Sequence, residues 1–207
     1  SPQTKNPQKR YRAVVTALDT AIGRVLKKLD ESGLSENTIV IWYSDNGAFM
    51  LKDRGLEVAS NKPLRDGGVT LWEGGIRVPA IVRFPGHIKA GTVNDSQIIS
   101  LDILPTLVSL AGGKLPQVRI LDGQNILPVL KAPETSEQRS FYFQYRKYSA
   151  VRKGKYKLLR TKHDQPFMLF DLKQDLGEST DLAAKHPEIT RQLKQAYESW
   201  IDETTSK

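Results

Sequence analysis

Residues 38–47 read Thr38-Ile39-Val40-Ile41-Trp42-Tyr43-Ser44-Asp45-Asn46-Gly47. A run that is apolar and β-branched almost throughout passes directly into a carboxylate, a carboxamide and a glycine. Continuous apolar character, without alternation, is the pattern of a strand covered on both faces. Upstream, Val14, Leu18, Ile22, Val25 and Leu29 recur at spacings of four, four, three and four, which predicts an amphipathic helix over Tyr11–Ser32 with Gly33 as its stop. A helix followed by a doubly covered strand is half of an α/β unit, so the fold class expected is α/β.

Downstream, residues 44–75 carry little periodicity and many glycines and charges, the mark of a long functional loop with one short helix. A strand is expected over Arg77–Phe84, closed by Pro85-Gly86, and a helix over Ser100–Gly113, with polar capping residues before Pro105 and a glycine stop. From Leu115 to Gln138 the chain is rich in Pro, Gly and polar residues, with turn signals at Asp122-Gly123 and Ala132-Pro133. Beyond it, strands are expected at Ser140–Tyr145, Ser149–Arg152, Lys155–Arg160 and Phe167–Leu172, with Arg152-Lys153-Gly154-Lys155 as a hairpin turn. A last helix over Pro187–Ile201 is spaced through Ile189, Leu193, Ala196, Tyr197 and Trp200. The expected organisation is a linker or cut end over 1–10, an α/β portion over 11–114, a linker over 115–138, and a small antiparallel sheet packed on a helix over 139–207.

The 207 residues suffice for one sizeable core or a core plus a small subdomain. Lys and Arg number 31 against 23 Asp and Glu, and the resulting +8 favours anionic partners. The absence of cysteine excludes disulfides, thiolate metal sites and cysteine nucleophiles within these residues. No apolar run approaches the ~20 residues of a membrane-spanning helix. Ser1–Arg10 is polar and basic with no apolar stretch after it, unlike a signal peptide.

Asp45 and Asn46 offer a carboxylate and an amide oxygen, hard donors suited to Ca²⁺ or Mg²⁺. The same Asp-Asn-Gly also suits an Asx turn closing a strand. The run Asn61–Pro79 holds Arg65, the pairs Gly67-Gly68 and Gly74-Gly75, and Glu73. It reads as a candidate oxyanion cradle of backbone N–H groups and guanidinium. Glu73 is either a ligand or base, or a structural carboxylate holding backbone N–H groups or Arg77. His87, His163 and His186 have no metal spacing and are expected to be surface or structural. Arg146, Lys147, Arg152, Lys153, Lys155, Lys157, Arg160 and Lys162, interleaved with Tyr142, Tyr145, Tyr148 and Tyr156, form either a solvated outer face of strands or a basic aromatic face for a sulfated glycan.

Taken in order, Tyr11, Val15, Leu18, Asp19, Ile22 and Gly23, then Ser44–Gly47, Pro63–Arg65, Trp72–Pro79, Asp102–Thr106 and Ala150–Leu158 resemble the later signatures of the sulfatase family, arylsulfatase-like, of the alkaline-phosphatase-like superfamily. The resemblance implies the later part of an alkaline-phosphatase-like sandwich and hydrolysis of a sulfate ester at a divalent metal, usually Ca²⁺, by a formylglycine made from Cys or Ser in a Cys/Ser-x-Pro-x-Arg motif. Asp45 and Asn46 fall on the family's later metal ligands. A sulfated small molecule or sulfated glycan is the implied partner, nucleic acid is not, and a periplasmic or secreted setting is implied. No Cys/Ser-x-Pro-x-Arg occurs here; the nearest echo, Asn61-Lys62-Pro63-Leu64-Arg65, has Asn at the nucleophile position. The family's sulfate-binding Lys, five residues before the Glu of Glu-Gly-Gly, is replaced by Gly68. Arg65 or Lys62, neither at the matching position, is the candidate to supply that cation, with Arg65 as the substrate-binding candidate. The expectation is therefore a portion of a sulfatase, inactive alone. The alternatives are a phosphatase or phosphodiesterase of the same superfamily, and a non-catalytic polyanion-binding remnant.

Overall fold

The computed structural model describes residues 5–50, 58–116, 121–131 and 139–205. The expected turn at Ala132-Pro133 and the first four residues lie outside them. The described chain groups into two units. One is drawn from Ser1–Val25, Trp42–Ile81 and Gln138–Lys207, the other from Leu26–Ile41 and Val82–Glu137.

Helix α1 spans Pro7–Glu31, beginning inside the stretch read as a linker. It stops at Gly33, whose φ of 65° lets the Leu34 N–H turn back to the Leu29 carbonyl at 3.1 Å. None of its residues is buried, and Tyr11, Val14, Val15, Leu18 and Val25 are exposed. Strand β1, Val40–Tyr43, and strand β2, Ala80–Arg83, form a two-stranded sheet. Trp42, Tyr43 and Ile81 are exposed, so the described residues do not supply the double cover that the apolar run of β1 calls for. The one short helix expected in the long loop is α2, Glu73–Ile76, at its end.

In the second unit, a 3₁₀ turn over Ser100–Asp102 leads into α3, Ile103–Leu110, shorter than the periodicity predicts. The buried Asp102 carboxylate accepts the N–H groups of Ile99 at 2.8 Å and Gln124 at 2.9 Å. Thr106 Oγ1 donates to the Asp102 carbonyl at 2.6 Å and accepts the Ile126 N–H at 3.0 Å. Asp102 and Thr106 thus tie the returning chain to the start of α3, satisfying backbone groups that would otherwise be buried and unpaired. A further short helix, α4, Leu127–Lys131, lies within the stretch read as a linker.

The C-terminal strands β3 (Ser140–Tyr145), β4 (Tyr148–Lys153), β5 (Tyr156–Arg160) and β6 (Met168–Asp171) form an antiparallel sheet in sequential order. Gly154, at φ 54°, turns the β4–β5 hairpin, and Arg152 pairs with Lys157 across it. Alternation sends Val151, Leu158 and Leu169 to one face, packed on Leu193 and Tyr197 of α5, Pro187–Thr205. Ala150, Leu159 and Phe170 go to the other face and pack on Leu71 and Trp72 of the long loop. The sheet is therefore packed on a helix, as expected, and also carries the glycine-rich loop on its second face.

Candidate functional site

The end of β1 is held in a fixed shape by its own side chains. Ser44 Oγ donates to the Asn46 carbonyl at 2.8 Å, and the Asn46 N–H donates to Asp45 Oδ1 at 2.9 Å. Asn46 Nδ2 donates to the Gly47 carbonyl at 2.9 Å, which turns the amide oxygen the opposite way. Among the described residues nothing donates to Asp45 Oδ2 or Asn46 Oδ1. Two hard oxygens without a donor suit a divalent cation of the Ca²⁺ or Mg²⁺ type. Among the described residues no group of three His, Asp or Glu side chains has metal-site geometry, so a cation at this pair would need further ligands.

The tip is laid against the long loop backbone to backbone. The Gly47 N–H donates to the Gly75 carbonyl at 3.0 Å and the Gly68 N–H to the Ala48 carbonyl at 3.1 Å. A Cβ on Gly47 would stand 1.7 Å from the Gly74 carbonyl oxygen, and one on Gly68 would stand 2.8 Å from the Gly47 carbonyl oxygen. Any side chain at position 68, lysine included, has to displace the tip or the loop.

Four N–H groups of the expected oxyanion cradle are taken within the fold. The N–H groups of Gly68, Glu73, Gly74 and Gly75 go to Ala48 O, Glu178 Oε2, Arg65 O and Trp72 O respectively. Close backbone approach at the glycines brings these carbonyls and the Glu178 carboxylate within reach, so none of the four donors is left for a ligand. The exposed Arg65 lays its guanidinium 3.7 Å from the centre of the Trp72 ring and donates through Nη1 to the Glu178 carbonyl at 2.7 Å.

Glu73 is wholly buried and ion-paired to groups the sequence did not suggest. Its Oε1 lies 3.0 Å from Lys157 Nζ and its Oε2 2.9 Å from Arg152 Nη1. Lys157 Nζ also makes an ionic contact with Glu178 Oε1 at 2.8 Å, and Glu178 Oε2 accepts the Glu73 N–H at 2.6 Å. Burial pushes the Glu178 carboxyl above the usual carboxylate range, and Lys157 with the Glu73 N–H pulls the other way. Of the two readings of Glu73, the geometry is that of a structural carboxylate, with Arg152 and Lys157 in place of Arg77.

The eight cations of the basic aromatic run do not share one face, and four of them are engaged within the fold. Lys157 and Arg152 point at Glu73, Lys155 Nζ pairs with Asp171 at 2.7 Å, and Arg160 donates to the Ser149 hydroxyl and the His163 carbonyl. Strand alternation puts Arg152 and Lys157 on the face that packs on the loop, while Arg146, Lys147, Lys153 and Lys162 stay exposed. His87 stacks on Phe84 with centroids 4.0 Å apart, and His186 lies 6.2 Å from Tyr156, which are packing roles.

An α/β portion ending in an oxygen-rich strand tip, with an antiparallel subdomain seated on a Glu-Gly-Gly loop, is the later part of an alkaline-phosphatase-like fold. A sulfatase family model matches residues 3–113, and a model described as N-sulphoglucosamine sulphohydrolase, C-terminal, matches residues 69–203. The chain belongs to the sulfatase family. A sulfatase of Formosa agariphila is 33% identical over 95% of this chain and 40% of its own length. The crystal structure of Ps i-CgsB in complex with k-i-k-neocarrahexaose superposes with a TM-score of 0.84 at 28% identity, covering 96% of this chain and 44% of that one. The structure of BT4656 in complex with its substrate D-glucosamine-2-N,6-O-disulfate gives 0.73 at 26% identity, covering 92% and 39%. The chain spans about two fifths of the length of these proteins.

Proposed function

We propose that these residues are the later portion of a metal-dependent sulfatase that hydrolyses sulfate esters, and that Asp45 and Asn46 supply two oxygen ligands to its divalent cation, Ca²⁺ or Mg²⁺. The observation that carries this reading is the pair of donor-free oxygens, Asp45 Oδ2 and Asn46 Oδ1, at a strand tip whose following backbone, Gly47 and Ala48, is bonded to Gly75 and Gly68 of the loop, in a member of the sulfatase family. A cation held there would stabilise negative charge developing on the sulfuryl oxygens. The chain's own part is to hold the two oxygens in a fixed relation, so that little reorganisation accompanies binding. Arg65, exposed and flattened on Trp72, is the fixed positive charge this loop offers a sulfate group. The formylglycine nucleophile and the other ligands belong, in this reading, to sequence outside these 207 residues, and the substrate is a sulfated small molecule or sulfated glycan.

The polyanion-binding alternative keeps the +8 charge behind it, but Arg152, Lys155 and Lys157 of the basic run are paired with Glu73, Glu178 and Asp171 and are not free for such a ligand. The enzyme reading is tested by assaying the 207-residue chain on an aryl sulfate beside Asp45→Ala. Neither should turn over substrate; hydrolysis that disappears in Asp45→Ala would place a complete active site within the chain and overturn the division of labour. Salt-sensitive heparin binding that needs no metal would instead favour the binding module.

A further inference from the structure

The sheet and the tip are far apart in sequence, yet one buried cluster joins them. Lys157 on β5 and Arg152 on β4 meet both carboxylate oxygens of Glu73, the first residue of α2. Two residues along the same turn, the Gly75 carbonyl accepts the Gly47 N–H of the tip. Glu178 closes the arrangement from a third direction. Its carboxylate accepts the Glu73 N–H and contacts Lys157, and its carbonyl accepts from Arg65, whose own carbonyl accepts the Gly74 N–H.

Glu178 sits at φ 52°, a left-handed conformation that a non-glycine residue holds only when its surroundings impose it. The surroundings do so here: Asp175 Oδ2 accepts the N–H groups of Ser179 at 2.7 Å and Thr180 at 2.8 Å, stiffening the turn that presents Glu178. The two anions and two cations balance, and Lys157, Glu73 and Glu178 are wholly buried. Burying charge is costly, and an apolar cluster of similar volume would serve plain stability at least as well. What the charges add is direction, since each ion fixes the others only in one relative placement of the sheet, α2 and the 175–180 turn.

We propose that Lys157 and Glu178 are positioning residues for the Asp45–Asn46 tip, acting through Glu73 and the Gly75–Gly47 hydrogen bond. The proposal rests on the metal-ligand reading only for what the tip does; that the tip is held by this cluster stands without it. Neither residue touches metal or substrate. Each fixes the loop on which the tip lies.

The test is residue-resolved amide exchange on the 207-residue chain without divalent cation. Glu178→Ala should lower protection at Gly47, Gly68 and Glu73 by about tenfold or more while Leu158 and Leu169 stay as in the parent chain, since local opening is separable from global unfolding. Glu178→Gln keeps an oxygen to accept the Glu73 N–H and should restore most of the protection at Gly47. Unchanged protection at Gly47 in Glu178→Ala, an equal fall at every amide including Leu158, or a Gly47 amide already unprotected in the parent chain would each overturn the proposal. Lys157→Met is the second probe and should loosen the same three amides. If instead divalent-cation binding fails while these exchange effects hold, the metal reading falls and the positioning role remains.

Discussion

The side chain of Asn61 pairs with the backbone of Ala48 as a neighbouring strand would: Nδ2 donates to the Ala48 carbonyl at 2.8 Å, and the Ala48 N–H donates to Oδ1 at 3.0 Å. Nδ2 also donates to the Asp66 carbonyl at 2.9 Å, so one carboxamide closes the loop on itself and fastens it to the residue beyond the tip. Asn61→Ala removes all three contacts, the two to Ala48 part-buried and the one to Asp66 exposed, and should cost about 1–3 kcal/mol in denaturant unfolding. Asn61→Asp keeps the acceptor but loses both donors, and should fall between the two. A stability unchanged within error in Asn61→Ala would mean that water replaces the carboxamide without cost.

Two glycines make opposite predictions from the same substitution. Gly47→Ala drives a Cβ to 1.7 Å from the Gly74 carbonyl oxygen, and since both partners are backbone, the tip or α2 has to move. Gly23 lies inside α1 with nothing within 4 Å of its Cβ position, so Gly23→Ala should stabilise the helix by about 1 kcal/mol. Thermal unfolding of both variants checks the contrast. A Gly47→Ala chain as stable as its parent would show that the close approach at the tip is not required.

Much of this was legible locally. The four C-terminal strands, the hairpin at Gly154 and the last helix follow from period-2 and period-3.6 patterns with their turn residues, and the observed elements fall on them. The tip residues were legible as hard donors. What stayed hidden depends on long-range pairing. Lys157 reads as one more cation in a basic run, and its burial makes sense only beside Glu73, 84 residues earlier. One signal was available: alternation places Lys157 on the same face as the apolar Leu159, where an unpaired charge would be intolerable, so a partner carboxylate was required. That four N–H groups of the oxyanion-cradle run are taken within the fold was not legible, because glycine pairs mark close backbone approach without saying whether the partner is a ligand or another part of the chain.

The Lys155–Asp171 pair gives a pH signature with a definite sign. Hydrogen bonding from Lys155, helped by the Lys173 N–H and opposed by burial, holds the Asp171 carboxyl below the usual carboxylate range, and Asp171 in turn raises Lys155. A carboxyl held down contributes stability above its unfolded pKa and loses it as pH falls through the folded one. An ammonium held up contributes below its unfolded pKa and loses it as pH rises through the folded one. The pair is therefore at full strength between about pH 4 and 10. Lys155→Met should lower the Tm at pH 7, and the gap to the parent chain should close as pH falls below about 4. A gap that persists undiminished at pH 2 would mean the substitution acts instead through loss of the ammonium from its place 4.8 Å from the centre of the Tyr156 ring.

The bare apolar face of α1 separates what this chain stabilises for itself from what it presents. Tyr11, Val14, Val15 and Leu18 are exposed although their spacing is that of a buried helix face, whereas Leu193 on α5 has the same periodicity and is 5% exposed. Leu193→Ala should cost about 2–5 kcal/mol, the ordinary penalty for a cavity beneath a packed helix. Leu18→Ser, which removes a side chain that buries little, should change the stability of the 207-residue chain by no more than about 0.5 kcal/mol. The relatives are more than twice as long as the aligned segment. If the face of α1 is covered in a longer sulfatase carrying this segment, Leu18→Ser should there cost as much as a core substitution. Equal and small effects in both contexts would show that the amphipathic pattern of α1 serves something other than packing, and a large effect in the short chain would show that the face is already covered.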